Sequence, residues 1–281
     1  MGDRIFKDDK AELENGFQKR AFFKFFEIFI RKFVKLVKMN LLYILFALPT
    51  FILAAALSYF LIFGVCDLFL TNELLLDDKA IVYISLFGSV VFANFYIAAI
   101  GAGPASVGYH RVLSLFANET HSWLWEDFKN CAKENLRQGI AVFSVDFVIL
   151  LIFGTTAVIY TFSGNNFGIL KYFIYAILLL YLLVHTYLYP LMSRFKMSVL
   201  ELYKNSLLFS VGKFPSSFFV LILQGFIHIV IPVFIARYFG RLTPIALSLW
   251  FVFELLFMQS FSAFIVSYNS NKKIDKFISE K

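Results

Sequence analysis

Six long apolar stretches dominate the pattern of hydrophobic and polar positions along this chain. A helix needs about 20 apolar residues to cross a hydrocarbon core about 30 Å thick, and each stretch reaches that length. Backbone groups inside a bilayer must bond within their own segment, so such runs predict helices. The predicted spans are residues 41–64, 81–110, 139–162, 172–193, 214–236 and 243–268. The pattern predicts an all-α polytopic membrane protein, with residues 1–281 forming a single membrane domain.

Amphipathic segments precede the three successive pairs of predicted spans. Between residues 20 and 38, charged side chains recur every three or four positions among phenylalanines, which is typical of an interfacial helix. A second segment follows Ser122, a predicted N-cap, and a weaker third covers residues 198–210. The sequence therefore predicts three units, each a cytoplasmic amphipathic helix followed by a hairpin of two spans.

Lys and Arg fall on alternate connections between the spans. Of the 26, 22 lie in residues 1–38, 111–137, 194–213 and 272–281, which predicts that both termini are cytoplasmic. With 60% hydrophobic residues and a mean hydropathy of +0.75, the chain exceeds the apolar share of soluble domains, about 45–50%. The net charge of +7 lies close to the predicted membrane edge without a nucleic-acid-binding motif. The expected partner is anionic inner-leaflet lipid, not nucleic acid.

Four ionisable residues lie inside predicted spans, where their cost makes them functional candidates: Asp146, His185, His228 and Glu254. The midpoint of His228 and Glu254 is position 241, and that of Asp146 and His185 lies between 165 and 166, both in predicted turns. Antiparallel helices place residues equidistant from their turn at equal depth. Each hairpin is therefore predicted to set one acid beside one histidine, either as an interhelical hydrogen bond or as a proton relay.

Small and polar residues add further candidates within the spans. Gly101, Gly103 and Pro104 interrupt the second span, which favours either a tight packing corner or a broken helix at a substrate site. Asn94, Gln224 and Gln259 are expected either to line an aqueous path or to join helices. A predicted surface for lipid or a partner comprises Trp123, Trp125, Phe128, Lys129, Lys133 and Arg137.

No catalytic signature accompanies these features. The sequence contains no HExxH, GxSxG or Walker motif, and its four histidines are dispersed. We therefore expect neither enzymatic activity, nor a metal site, nor a cofactor.

Several short motifs occur in an order that resembles a known family. They are Asn40-Leu41-Leu42-Tyr43, Leu48-Pro49-Thr50, Gly103-Pro104-Ala105 with Tyr109 and Arg111, Trp125-Glu126-Asp127-Phe128-Lys129 with Asn135, Tyr189-Pro190-Leu191, and Lys204-Asn205-Ser206. In this respect the chain is similar to the YesL-like membrane proteins of Gram-positive bacteria, grouped as domain of unknown function 624. It departs from that pattern in its long basic, Phe-rich N-terminus and in an acidic first outer loop.

The resemblance implies a location in the bacterial cytoplasmic membrane and a function beside carbohydrate uptake transporters of the ATP-binding-cassette type. The leading hypothesis from the sequence is thus a non-enzymatic accessory partner of such a system, in contact with its subunits. The competing hypothesis is a small-solute transporter, with proton coupling as one form of it, that uses the four intramembrane acid and histidine residues.

Overall fold

A computed structural model describes residues 21–65, 78–162 and 168–279 of the chain, and all their regular secondary structure is helical. The first half comprises α1 Ala21–Arg31, α2 Phe33–Val65, α3 Asp78–Ala99, α4 Pro104–Ala117, α5 Leu124–Glu134 and α6 Leu136–Phe162. The second half comprises α7 Leu170–Met192, α8 Val199–Gly212, α9 Phe214–Gly225, α10 Ile231–Tyr238, α11 Thr243–Phe253 and α12 Gln259–Ser279. A π-helical segment, π1 (Phe226–Val230), joins α9 to α10, and another, π2 (Glu254–Met258), joins α11 to α12.

Within the described residues, six helical stretches are long and apolar enough to cross a membrane, in agreement with the predicted number of spans. They are Phe33–Val65, Ile81–Ala99, Leu136–Thr161, Leu170–Met192, Phe214–Tyr238 and Gly240–Ile274. Large apolar side chains stand exposed along them, including Leu45 (65%), Phe60 (72%) and Leu249 (66%). Such exposure along many helices indicates a lipid-facing surface. The predicted acidic loop after the first span and the turn around residues 165–166 lie outside the described residues.

The first amphipathic segment differs from the prediction for residues 20–38. Helix α1 ends at Arg31, and residues 33–38 belong to the first spanning helix because Leu36 continues its buried face. The buried face of α1 carries Phe25 and Phe29, whose rings pack on Phe261 of α12 at centroid distances of 6.1 and 5.3 Å. Helix α1 therefore packs its apolar face against the protein and not only against lipid.

The second span is shorter than the predicted residues 81–110. Helix α3 ends at Ala99, and a separate helix, α4, begins at Pro104. Proline has no N–H to continue the backbone hydrogen bonds of α3, and the preceding glycines take a conformation that no helix contains. Residues 104–110 thus belong to a buried central helix, which contacts α1, α2, α5, α6, α7 and α12.

The remaining helices extend the predicted pattern. Consecutive spans touch one another, since α2 lies against α3, α6 against α7, and α10 against α11. Helix α8 begins at the predicted place, where Ser198 and Glu201 form a reciprocal capping box. The N-cap of α5 is Trp123 and not Ser122, because the Trp123 carbonyl accepts the backbone N–H of Asp127 at 2.9 Å. The Ser122 hydroxyl and the Trp123 N–H both donate to the Asp127 carboxylate. The last helix continues beyond residue 268 to Ser279.

Candidate functional site

The structure brings Asp146 of α6 and His185 of α7 together in the protein interior. Their side chains are almost fully buried, and His185 Nε2 lies 3.2 Å from Asp146 Oδ1, although without the alignment of a hydrogen bond. Tyr203 of α8 donates its hydroxyl to the same oxygen at 2.5 Å. Tyr181 also donates to it, from a position one helical turn before His185 on α7. Three helices therefore converge on one carboxylate oxygen.

The other side of the His185 ring faces the break between α3 and α4. His185 Nδ1 lies 3.2 Å from the carbonyl oxygen of Ile100. In a continuous helix that carbonyl would accept from the N–H of residue 104, but Pro104 has none. The break therefore leaves a backbone acceptor for the imidazole, and His185 connects it to the Asp146 carboxylate.

Hydrogen-bonding capacity limits the protonation of this pair. If His185 donates Nδ1–H to Ile100, its Nε2 can bond the carboxylate only when a further proton lies between them. With that proton shared between the two side chains, the pair is neutral overall, whichever of the two holds it. Burial and the nearby Asp146 charge raise the pKa of Tyr203, which keeps its hydroxyl protonated as a donor.

The predicted corner at Gly101, Gly103 and Pro104 is a broken helix and a close packing contact at once. Gly101 has φ +106° and Gly103 has φ +59°. A Cβ added to Gly101 would lie 2.6 Å from Cε2 of Tyr189, whose hydroxyl accepts the N–H of Gly103 at 3.2 Å. A Cβ on Gly139 of α6 would lie 2.8 Å from Pro104 N. Glycine at these positions permits both the turn and the close approach of neighbouring helices.

The second pair, His228 and Glu254, is placed by the two π-helical segments. His228 lies in π1 and Glu254 begins π2, and both side chains are 1% exposed. His228 Nδ1 and Glu254 Oε1 are in ion-pair contact, but none of the nitrogen and oxygen atoms of the two side chains has an aligned hydrogen-bond partner among the described residues. Short π-helical segments inside α-helices occur frequently at functional sites. In the first pair only Asp146 Oδ2 and His185 Nε2 lack an aligned partner, so the second pair keeps more hydrogen-bonding capacity unused.

A hydrogen-bond chain ties π2 to the central helix. The amide of Asn40 in α2 donates to the Leu255 carbonyl of π2 at 2.6 Å. Tyr109 of α4 donates to Asn40 Oδ1 at 3.2 Å. The irregular backbone beside Glu254 is thus held by the helix that begins at Pro104.

Two of the three predicted amide candidates have one of the expected roles, that of joining helices. Gln224 donates to the Ala98 carbonyl at 2.8 Å, and Gln259 donates to the Asn94 carbonyl at 3.2 Å, so both join helices. The Asn94 side chain lines a cavity that also contains His228 and Glu254.

The predicted surface around α5 needs one correction. Trp123 and Trp125 are 67% and 49% exposed, and Lys129, Lys133 and Arg137 are exposed as well. Phe128 is only 3% exposed, because its backbone and ring lie on Gly108 of α4 and its ring packs 5.5 Å from Phe46. Arg137 lies in the first turn of α6, since α5 ends at Glu134.

Sequence reasoning missed the tyrosines and the backbone acceptor around Asp146. Tyr181 could have been found from its four-residue spacing to His185 on one helix face. Tyr203 and Ile100 come from other helices, and no local pattern points to them.

Among the described residues, no group of three or more His, Cys, Asp or Glu side chains is placed to hold a metal ion. Comparison of the chain with protein-family models, with curated proteins and with solved structures finds no match. The described part of the fold defines a helical protein with six candidate membrane spans that bury two acid–histidine pairs.

Proposed function

We propose that this protein is a multi-pass carrier of a small solute, coupled to proton movement through its two acid–histidine pairs. The observation that carries the proposal is the burial of both pairs in spanning helices, one at a helix break and the other at paired π-helical segments. Broken and irregular helices at membrane depth are tolerated where they line a binding site.

Stability alone does not account for these pairs. An interhelical hydrogen bond in a membrane protein contributes only about 0.6 kcal/mol on average. A buried ion pair can often be replaced by apolar residues without loss of stability. Two such pairs, each costly to desolvate, are better explained by a task that needs a proton at that depth.

The proposed orientation gives the first pair access to one aqueous side. With both termini cytoplasmic and the spans arranged as three hairpins, α8 lies at the cytoplasmic surface. Tyr203 of α8 then connects the Asp146 oxygen with that surface, since its hydroxyl donates directly to the carboxylate. Protons would enter from the cytoplasm through this hydroxyl and reach His185.

Reconstitution into liposomes tests the carrier function. An imposed pH gradient should drive uptake of at least one solute from a panel of labelled sugars, amino acids and amines. Glu254→Gln and Asp146→Asn should each abolish the dependence on the gradient, whereas Glu126→Gln, an exposed acid on α5, should not. Uptake that remains equally pH-driven in Glu254→Gln would contradict the proposal.

A second candidate function is an accessory partner of a carbohydrate uptake system in a bacterial cytoplasmic membrane, as the YesL-like resemblance implies. The supporting observation is the exposed Trp125 beside a groove of about 490 Å³, which Lys129 and Lys133 also line. An amphipathic groove of this kind suits a transporter subunit or an anionic lipid headgroup.

Affinity purification from native membranes distinguishes the two functions. An accessory protein should retain transporter subunits identified by mass spectrometry, and Trp125→Ala should release them. Trp250→Ala, on a different face, should not. Purification without any transporter subunit would argue against this second function while leaving the carrier function intact.

A further inference from the structure

A cavity of about 520 Å³ opens beside His228 and Glu254. It is formed by residues of α3, π1, α10, α11 and π2, and aromatic side chains of Phe87, Trp250 and Phe251 line it. At its rim, Leu86 and Val252 are 50% and 53% exposed on the apolar surface of the spans. The cavity therefore opens sideways toward the lipid-facing surface, and a molecule dissolved in the bilayer could enter it.

The polar groups of this cavity are mainly hydrogen-bond acceptors. Glu254 borders the cavity with a buried side chain. Its Oε1 is in ion-pair contact with His228 Nδ1, and neither carboxylate oxygen has an aligned donor among the described residues. Ser248 donates its hydroxyl to the Pro244 carbonyl at 2.8 Å, which leaves only its lone pairs. Asn94 directs one amide N–H to the Val90 carbonyl at 3.2 Å, which leaves its side-chain oxygen as an acceptor and its second N–H as the one amide donor. Such a lining is complementary to a ligand rich in donors.

We propose that this cavity binds an apolar amine in its ammonium form, in exchange for one proton from the His228–Glu254 pair. This inference rests on the proposed function, because the amine is taken to be the solute that the protein carries.

The exchange conserves charge in a setting where net charge is costly. Before binding, imidazolium and carboxylate balance each other. The incoming ammonium becomes the counter-ion of Glu254, and the proton leaves His228 to the aqueous phase, so the site stays neutral. No covalent bond other than the N–H bond of His228 breaks.

Two features favour a cation over an anion or a neutral alcohol. The faces of Phe87, Trp250 and Phe251 attract positive charge through their ring quadrupoles. An anion would instead require an additional proton on Glu254 to keep the site neutral, and it would face the acceptors of Asn94 and Ser248. A neutral alcohol brings one donor and displaces no proton.

The test uses the full chain in lipid nanodiscs and three probes of matched shape, namely phenethylamine, phenethyl alcohol and phenylacetate. Calorimetric titration, corrected for partition into protein-free nanodiscs, should show saturable binding of the amine alone. Release of one proton per amine should raise the apparent affinity about tenfold per pH unit while the pair is protonated. Glu254→Gln should weaken amine binding at least about tenfold, a difference of about 1.4 kcal/mol.

A second variant tests the role of the cavity without changing the Glu254 carboxylate. Val90→Trp fills the cavity from α3 without changing Glu254, and it should also abolish binding. Val82→Trp, an exposed position two turns earlier on the same helix, is the matched control and should bind normally.

Equal binding of all three probes, or unchanged amine binding in Glu254→Gln or Val90→Trp, would overturn the inference. Specific amine binding with proton release, in a protein that shows no pH-driven uptake, would support this site and contradict the carrier function.

Discussion

Replacement of Gly101 by alanine should destabilise the folded protein strongly, because two separate constraints meet at this residue. Its φ of +106° lies outside the regions that residues with a Cβ adopt, and such strain costs about 1–3 kcal/mol. The added Cβ would also lie 2.6 Å from Tyr189 Cε2 and 2.7 Å from Ser106 Oγ. Tyr189 is buried and cannot swing away, so overpacking adds about 1–3 kcal/mol.

Together these terms predict a loss of about 2–6 kcal/mol in the free energy of unfolding. At roughly 2 °C per kcal/mol, the Tm should fall by at least about 4 °C. Thermal unfolding in detergent, followed by circular dichroism, measures this shift.

Gly154→Ala is the matched control for this substitution. Gly154 lies inside α6 with no atom within 4 Å of an added Cβ. Alanine there should leave the Tm unchanged or raise it slightly, because it lowers the entropy lost by a helical glycine. A Gly101→Ala protein as stable as the wild type would refute the conclusion that this backbone conformation and the contact with Tyr189 hold the break between α3 and α4.

Three further predictions concern groups at and around the helical core. Tyr203→Phe removes one donor from the buried Asp146 carboxylate and should cost about 1.5–3 kcal/mol in thermal unfolding, whereas Tyr172→Phe, at an exposed position, should cost nothing measurable. Hydrogen bonds and ion pairs from Arg31 and Lys24 lower the pKa of the Glu119 carboxyl below 4.5. The stability that these contacts contribute is therefore present above pH 4.5 and is lost as the pH falls through the lowered pKa. The stability difference between the wild type and Glu119→Gln should therefore shrink on acidification, and a difference that persists at low pH would contradict this assignment. Burial raises the pKa of the Cys131 thiol to about 11, so in a Cys66→Ser background maleimide should label Cys131 at pH 8 only after unfolding. Rapid labelling of that folded variant would show that the thiol is accessible.

Distances along the sequence were enough to predict both acid–histidine pairs in this chain. Helices that cross a bilayer are long, and neighbours along the chain pack together. Equal distance from a turn therefore translates into equal depth, and the structure brings Asp146 beside His185 and His228 beside Glu254. This relation depends only on the two helices of one hairpin and not on the other helices.

Equal depth within a hairpin does not predict which other groups surround each pair. Tyr203 reaches Asp146 from α8, and the carbonyl of Ile100 reaches His185 from a helix break. Gly101, Gly103 and Pro104 indicated an interruption, but local pattern does not reveal that the following helix turns inward and becomes the buried centre of the fold. The sequence predicts Phe128 on the same surface as Trp123 and Trp125, whereas packing on Gly108 buries it.

The sequence by itself determined the helical class, the number of spans and the residue types available for proton chemistry. These properties follow from hydrophobicity and length, which depend on each segment and on the solvent around it. The tertiary structure alone decided which groups surround each pair, where the helices become π-helical, and which of the two acids borders a cavity. Those properties depend on contacts between residues distant in the chain, such as Asn40 with Leu255, and the packing of several helices at once selects them.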